Sequence, residues 1–138
     1  MNIDYAVLAR EAEAARERSY SPYSNFMVGA ALLTTDGKIY HGCNIENAAF
    51  TPTSCAERTA FCTAVAAGER GFAAIAVAGW QKGGPPGFAY PCGVCRQFMM
   101  EFCDPASFMV VVTSGGDNYR VASLRELLPE GFGPADLS

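Results

Sequence analysis

With 138 residues, half of them hydrophobic and 17% charged, the chain has the balance of one globular domain spanning 1–138, which excludes a disordered tail or a fibre. Its net charge is −4, and its ten Lys and Arg residues are scattered between Arg10 and Arg125, which disfavours nucleic-acid polymers and polyphosphorylated substrates, since both need clustered positive charge. No stretch approaches the roughly 20 apolar residues of a membrane span, and the amino terminus lacks the features of a secretion signal, so a cytoplasmic protein with no membrane partner is expected, whose six cysteines serve metal binding or burial rather than disulfides.

In chain order, Tyr5, Leu8, Ala12 and Ala15 recur at helical spacing, predicting an amphipathic helix over about 4–18 with Asp4 as cap. SPYSN is turn-rich, and Asp36-Gly37 between FMVGAALLT and KIYHGCNI predicts a hairpin. Pro52 breaks the chain before a helix over about 55–67 that stops on Gly68. AAIAVAGW reads as a buried strand. QKGGPPG, which no Lys-Ser/Thr pair follows, reads as a surface loop rather than a phosphate loop. Pro91 suits the first turn of a helix reaching about Phe102. A strand over 107–113, a Gly115-Gly116-Asp117 turn, a short strand over 119–122 and a helical turn in SLRELL complete a layered α/β domain around a central sheet.

Chemistry concentrates at two of these helix starts. Cys92 and Cys95 in Pro91-Cys92-Gly93-Val94-Cys95 are three residues apart, so they share a helix face and can hold one ion. Cys55 stands at the other start, and the partial positive charge of a helix amino terminus favours thiolates at both. Three protein ligands leave an open fourth position for water, which zinc acidifies toward about pKa 7. Glu57 follows Cys55 by two residues, about 200° around an ideal helix, so both reach one site only if Cys55 lies at the cap. Glu57 is then the candidate proton shuttle. Three thiolates on Zn²⁺ leave the site negative, and Arg58 is placed to draw off charge by bonding the sulfurs of Cys55 and Cys92.

A lone C-x-x-C also fits a redox pair or a structural zinc knuckle, but neither has use for the carboxylate that Cys-Ala-Glu-Arg supplies. Cys43, Cys62 and Cys103 read as buried small hydrophobes, and His41 as a surface residue of a strand.

With SPYSNFMVGAALLTTDGKIYHGCNIENAAF, CAERTA, PCGVCRQ and ELLPEGFGPADL in this order, the chain resembles the small homotetrameric zinc-dependent cytidine deaminases along almost its full length; the zinc-deaminase pattern of His or Cys, a catalytic Glu and P-C-x-x-C is a known signature. The resemblance implies a three-layer fold with a central mixed five-stranded sheet flanked by helices. It implies hydrolytic deamination of cytidine and deoxycytidine to uridine and deoxyuridine by a zinc-bound hydroxide, within pyrimidine salvage, with one Zn²⁺ per subunit. By position, Cys55, Cys92 and Cys95 match the zinc ligands, Glu57 the proton shuttle and Arg58 the charge-neutralising arginine. Asn44 and Glu46 match the pair on the ribose 3′-hydroxyl, Phe26 the aromatic beside the base, Ala56 a backbone contact to the pyrimidine edge, and Phe132 the ring that reaches in from a neighbouring subunit of the tetramer. Phe50 stands where many members have Tyr, Tyr90 where Ser is common, and the loop over 83–90 differs from several members. Two other readings share these motifs: a deaminase of a modified cytosine nucleoside such as blasticidin S, and a silent zinc protein that only binds nucleosides.

Overall fold

In the computed structural model, which describes residues 1–137, α1 (Tyr5–Arg16) starts where the Asp4 carboxylate accepts the Val7 N–H at 3.2 Å, the capping expected from sequence. The hairpin forms from β1 (Phe26–Thr34) and β2 (Ile39–Cys43), and Gly37 adopts φ +91°, a turn conformation that a side chain disfavours. Then come α2 (Ala56–Ala66), β3 (Phe72–Gln81), α3 (Gly93–Phe102), β4 (Met109–Thr113), β5 (Tyr119–Ser123), α4 (Leu124–Leu127) and a closing 3-10 turn, Pro134–Leu137. Ser123 caps α4 in a capping box with Glu126.

The strands form one sheet of order β2-β1-β3-β4-β5, in which only the β3–β4 pair is parallel. Strand alternation divides the apolar residues between its faces. Ala31, Leu33, Ala74, Ala76, Ala78 and Val111 face Leu8, Ala9 and Ala12 of α1. Ala30, Leu32, Ile75, Val110 and Val112 face Phe61 of α2 and Met99 of α3. The result is the three-layer α/β arrangement expected. Four alanines on the first face let α1 lie close, while aromatic packing fills the second: the Phe61 ring stacks on Phe102 at 5.8 Å and meets Phe72 edge-on at 5.1 Å.

Two expectations need correction. Pro91 lies one residue outside the α3 cap, because Cys92 (φ −69°, ψ 168°) occupies the cap and Gly93 opens the helix. Cys62 is exposed, since Ala56, Glu57, Ala60, Phe61 and Ala64 form the inner stripe of α2 and position 62 falls outside it.

The parallel β3–β4 pair requires a crossover, which α3 supplies; its amino terminus therefore lies past the carboxyl end of β3, where open α/β sheets place ligands. The connecting loop is fastened by Arg120 of β5, whose guanidinium lies 3.9 Å over the Phe88 ring. The α2 helix is seated against β2 at Gly42, where an added Cβ would sit 2.4 Å from both the Ala56 carbonyl and the Ala60 nitrogen. Gly42→Ala must push backbone apart at the helix bearing Cys55 and Glu57, so it should destabilise the protein by about 1–3 kcal/mol and lower its Tm by several degrees, measurable by calorimetry.

Candidate active site

Cys55 (φ −71°, ψ 153°) caps α2 and Cys92 caps α3, both with extended backbone. The boundary forced by the Cys55–Glu57 spacing is thus the one observed. At neither cap does the side chain accept a backbone N–H, so both sulfurs are free to face each other at 3.9 Å. Cys95, one turn into α3, joins them: the three sulfur atoms lie within 4.8 Å of one another, and Cys95 is 1% exposed.

The arrangement fits a zinc ion on its own chemistry. Three soft sulfurs converge at two helix amino termini, a donor set suited to Zn²⁺. Arg58 Nη2 donates to Cys55 Sγ at 3.3 Å and to the Thr53 carbonyl at 3.4 Å, while its buried Nε has no partner among the described residues. The expected bond from Arg58 to Cys92 is not among those formed: the guanidinium bonds Cys55 at α2's own cap and interacts with Cys95 on α3. The Cys95 thiol, donating to Cys55, holds the Cys55 sulfur at a pKa of about 5 with help from Arg58, and the same sharing pushes Cys95 upward. Thiolate is the form in which such sulfurs bind a metal.

Cys55 and Cys92 border a hollow of about 200 Å³ also lined by Phe26, Val28, Asn44, Ala56, Glu57 and Tyr90, among others. Glu57 is 4% exposed, and burial pushes its carboxyl up to about 7, with the Cys55 charge adding to the rise. A carboxyl poised there both accepts and gives a proton near neutrality.

Asn44 also borders the hollow. Its amide spans β1, with Nδ2 donating to the Phe26 carbonyl at 2.8 Å and Oδ1 accepting the Val28 N–H at 3.0 Å and the Ser19 hydroxyl. Glu46 lies in an adjoining recess with Tyr23, Ser24, Asn47, Phe50 and Thr53. One of its oxygens accepts the N–H groups of Tyr23 and Ser24 at 2.9 and 3.1 Å, and the other accepts the Ser24 hydroxyl. That hydroxyl foremost holds the carboxyl below its ordinary pKa, so Glu46 is ionised. Of the residues selected from sequence, Phe26, Asn44, Cys55, Ala56, Glu57 and Cys92 line the hollow and Glu46 the recess beside it, whereas Phe132 is 57% exposed on the carboxyl-terminal segment. His41 pairs with Glu11 at 2.9 Å on the far side of the hairpin. Tyr90, singled out from sequence as a departure beside the Pro-Cys-Gly-Val-Cys motif, lines the hollow, as does Val28, to which sequence reasoning gave no role and which sits two residues after Phe26 on the same strand face.

Two helix starts bring three thiols together beside a buried carboxylate, the metal ligands and acid–base group that zinc-dependent hydrolytic deaminases employ. The family model described as "Cytidine and deoxycytidylate deaminase zinc-binding region" matches residues 3–112. The chain is 48% identical to the cytidine deaminase of Sporosarcina psychrophila over 136 residues, covering 99% of this chain and 96% of that protein. It is 44% identical to the cytidine deaminase of Halalkalibacterium halodurans, over 99% of both. The crystal structure of the Burkholderia pseudomallei cytidine deaminase superposes with a TM-score of 0.85 at 50% identity, covering 94% of this chain and all of that one. The chain belongs to the cytidine deaminase family.

Proposed function

We propose that this chain hydrolyses cytidine and deoxycytidine to uridine and deoxyuridine, releasing ammonia, with one zinc ion held by Cys55, Cys92 and Cys95. The reading is carried by the convergence of those three sulfurs within 4.8 Å beside the buried Glu57. Zinc, when bound, supplies the Lewis acidity that makes water a nucleophile near neutral pH. Glu57 takes one proton from the attacking water and passes it to N3 of the pyrimidine as C4 is attacked; it then takes the second, from the new C4 hydroxyl, and delivers it to the 4-amino group, which departs as ammonia while the C4 carbonyl forms. Arg58 remains charged beside Cys55 and limits the electron density the sulfurs donate.

Substrate binding follows from the same walls. Phe26 packs beside the base, the Ala56 backbone meets the pyrimidine edge, and Asn44 with Glu46 takes the ribose 3′-hydroxyl. A carboxylate offers about four acceptor positions, and Glu46 uses three on the Tyr23–Ser24 turn, leaving one for a hydroxyl and repelling a phosphate. A charged hydrogen bond of this kind is worth about 1.5–3 kcal/mol, so wild type should favour cytidine over 3′-deoxycytidine by about 10–100-fold in kcat/KM. Glu46→Gln should shrink that ratio, and an unchanged ratio removes Glu46 from sugar recognition.

The hollow, about 200 Å³, is smaller than the roughly 300–1,000 Å³ usual for ligand pockets, and the recess beside it is lined by exposed Tyr23 and Phe50, whose rings meet edge-on at 6.4 Å. Both observations support a homotetramer in which neighbouring subunits complete each site and Phe132 stacks on the base of another subunit, a contact worth about 1–3 kcal/mol. The chain works as one domain, in a reducing cytoplasm that keeps the thiols available, and serves pyrimidine salvage; no helix among the described residues is long and apolar enough to cross a membrane. Purified protein given cytidine should release one ammonia per uridine formed, and chelation should stop it. Absence of ammonia, or turnover of blasticidin S alone, overturns the assignment.

A further inference from the structure

We infer that Gln97 is a positioning residue for the active site of a neighbouring subunit, acting through the backbone of Phe132. The inference rests on the proposal above that Phe132 works in another subunit's site. Gln97 stands two residues past Cys95 on the exposed side of α3, and its Nε2 donates to the Phe132 carbonyl at 2.9 Å. The preceding residue makes a second tie from the same helix: Arg96 donates from Nε to the Pro91 carbonyl at 2.7 Å and from Nη1 to the Leu127 carbonyl at 2.6 Å. One helix therefore holds two metal ligands at its start and fastens both ends of the segment between α4 and Phe132.

The clamp has a physical purpose at this position. Phe132 lies between Gly131 and Gly133, and glycines on both sides leave the backbone with more conformational freedom than any other pair would. An exposed ring on such a segment must be ordered before it can stack, and that ordering opposes binding. Gln97 fixes the carbonyl of the same residue that bears the ring, so the ordering is done in advance. Because Phe132 does not line the hollow of its own chain, the benefit of Gln97 falls on a different chain from the one that carries it.

Gln97→Ala should therefore raise KM for cytidine by about fivefold, the effect of one ordinary hydrogen bond, with kcat and zinc content unchanged. The deciding experiment co-expresses Gln97→Ala chains with Glu57→Gln chains under two affinity tags and isolates the hybrids. Every working site in them belongs to a Gln97→Ala chain, and some receive Phe132 from a Glu57→Gln chain whose Gln97 is intact. Those sites should recover the wild-type KM, giving a low-KM fraction absent from the Gln97→Ala homotetramer. A parallel hybrid of Phe132→Ala with Glu57→Gln tests the underlying reading. Recovery in the Phe132→Ala hybrid without recovery in the Gln97→Ala hybrid overturns this inference alone, since Gln97 then acts within its own subunit. Failure of both hybrids overturns the role of Phe132 in another subunit, and this inference with it. An unchanged KM in Gln97→Ala also overturns it.

Discussion

Glu57→Gln should lower kcat by about 10³–10⁴-fold, the upper range for removing a positioned general acid and base, while the protein keeps its zinc. The amide is nearly isosteric with the carboxylate and fills the same space beside Cys55, yet it can neither take the proton of water nor return one to the leaving amine. Three sulfurs hold the metal without help from position 57, so metal content measured by atomic absorption should be unchanged. Stability provides a second readout. The carboxyl is almost wholly buried, and burial foremost, with the Cys55 charge adding to it, moves it up to about 7, so the site works against its ionised form. A neutral amide relieves that opposition, so the variant should melt no lower than wild type. Equal kcat in both proteins removes Glu57 from the mechanism, and loss of zinc in the variant reassigns it to holding the metal.

Cys95→Ala should abolish both metal binding and activity. Its sulfur lies inside the helix rather than at a cap and is almost wholly buried, so no solvent-exposed side chain can take its place. With two ligands left, zinc content should fall from one per chain to a small fraction, and cytidine turnover to background. The loss should reach stability as well, since an ion that binds only the folded chain holds α2 against α3 through sulfur from both. Thiol titration provides the complementary measurement. Chelating the wild-type metal should unmask the thiols of Cys55, Cys92 and Cys95 together, whereas chelation should unmask no further thiol in Cys95→Ala. A variant that keeps a full complement of zinc would show that the three sulfurs are not the ligand set.

Both predictions concern residues that could be picked out before any coordinates, because their chemistry demanded a particular local geometry. The Cys55–Glu57 spacing makes sense only with a helix boundary between them, and Cys92 and Cys95 only with a shared helix face. The hairpin at Asp36-Gly37 and the buried strand β3 were equally legible, since turn chemistry and an apolar run are local. What depended on distant parts of the chain was not. Nothing near Arg58 in sequence says which sulfur its guanidinium meets: it bonds Cys55 and interacts with Cys95, and the bond expected to Cys92 does not form. Cys62 was misread for a different reason: a thiol is compatible with either face, and only the Ala60, Phe61 and Ala64 stripe decides the matter. The closing turn at Pro134–Leu137 is too short to show a period at all. The Gln97–Phe132 link joins residues 35 positions apart, with no local pattern at either end.

The two caps carry one more implication. Asp4 and Ser123 close their helices with side-chain hydrogen bonds, whereas Cys55 and Cys92 close theirs with none. Serine at either cysteine would supply the missing bond and strengthen the helix by about 0.5–2 kcal/mol, at the cost of a ligand. At these two positions helix capping and metal binding thus pull in opposite directions: without metal a serine should raise the melting temperature, whereas with zinc present the lost ligand outweighs the cap.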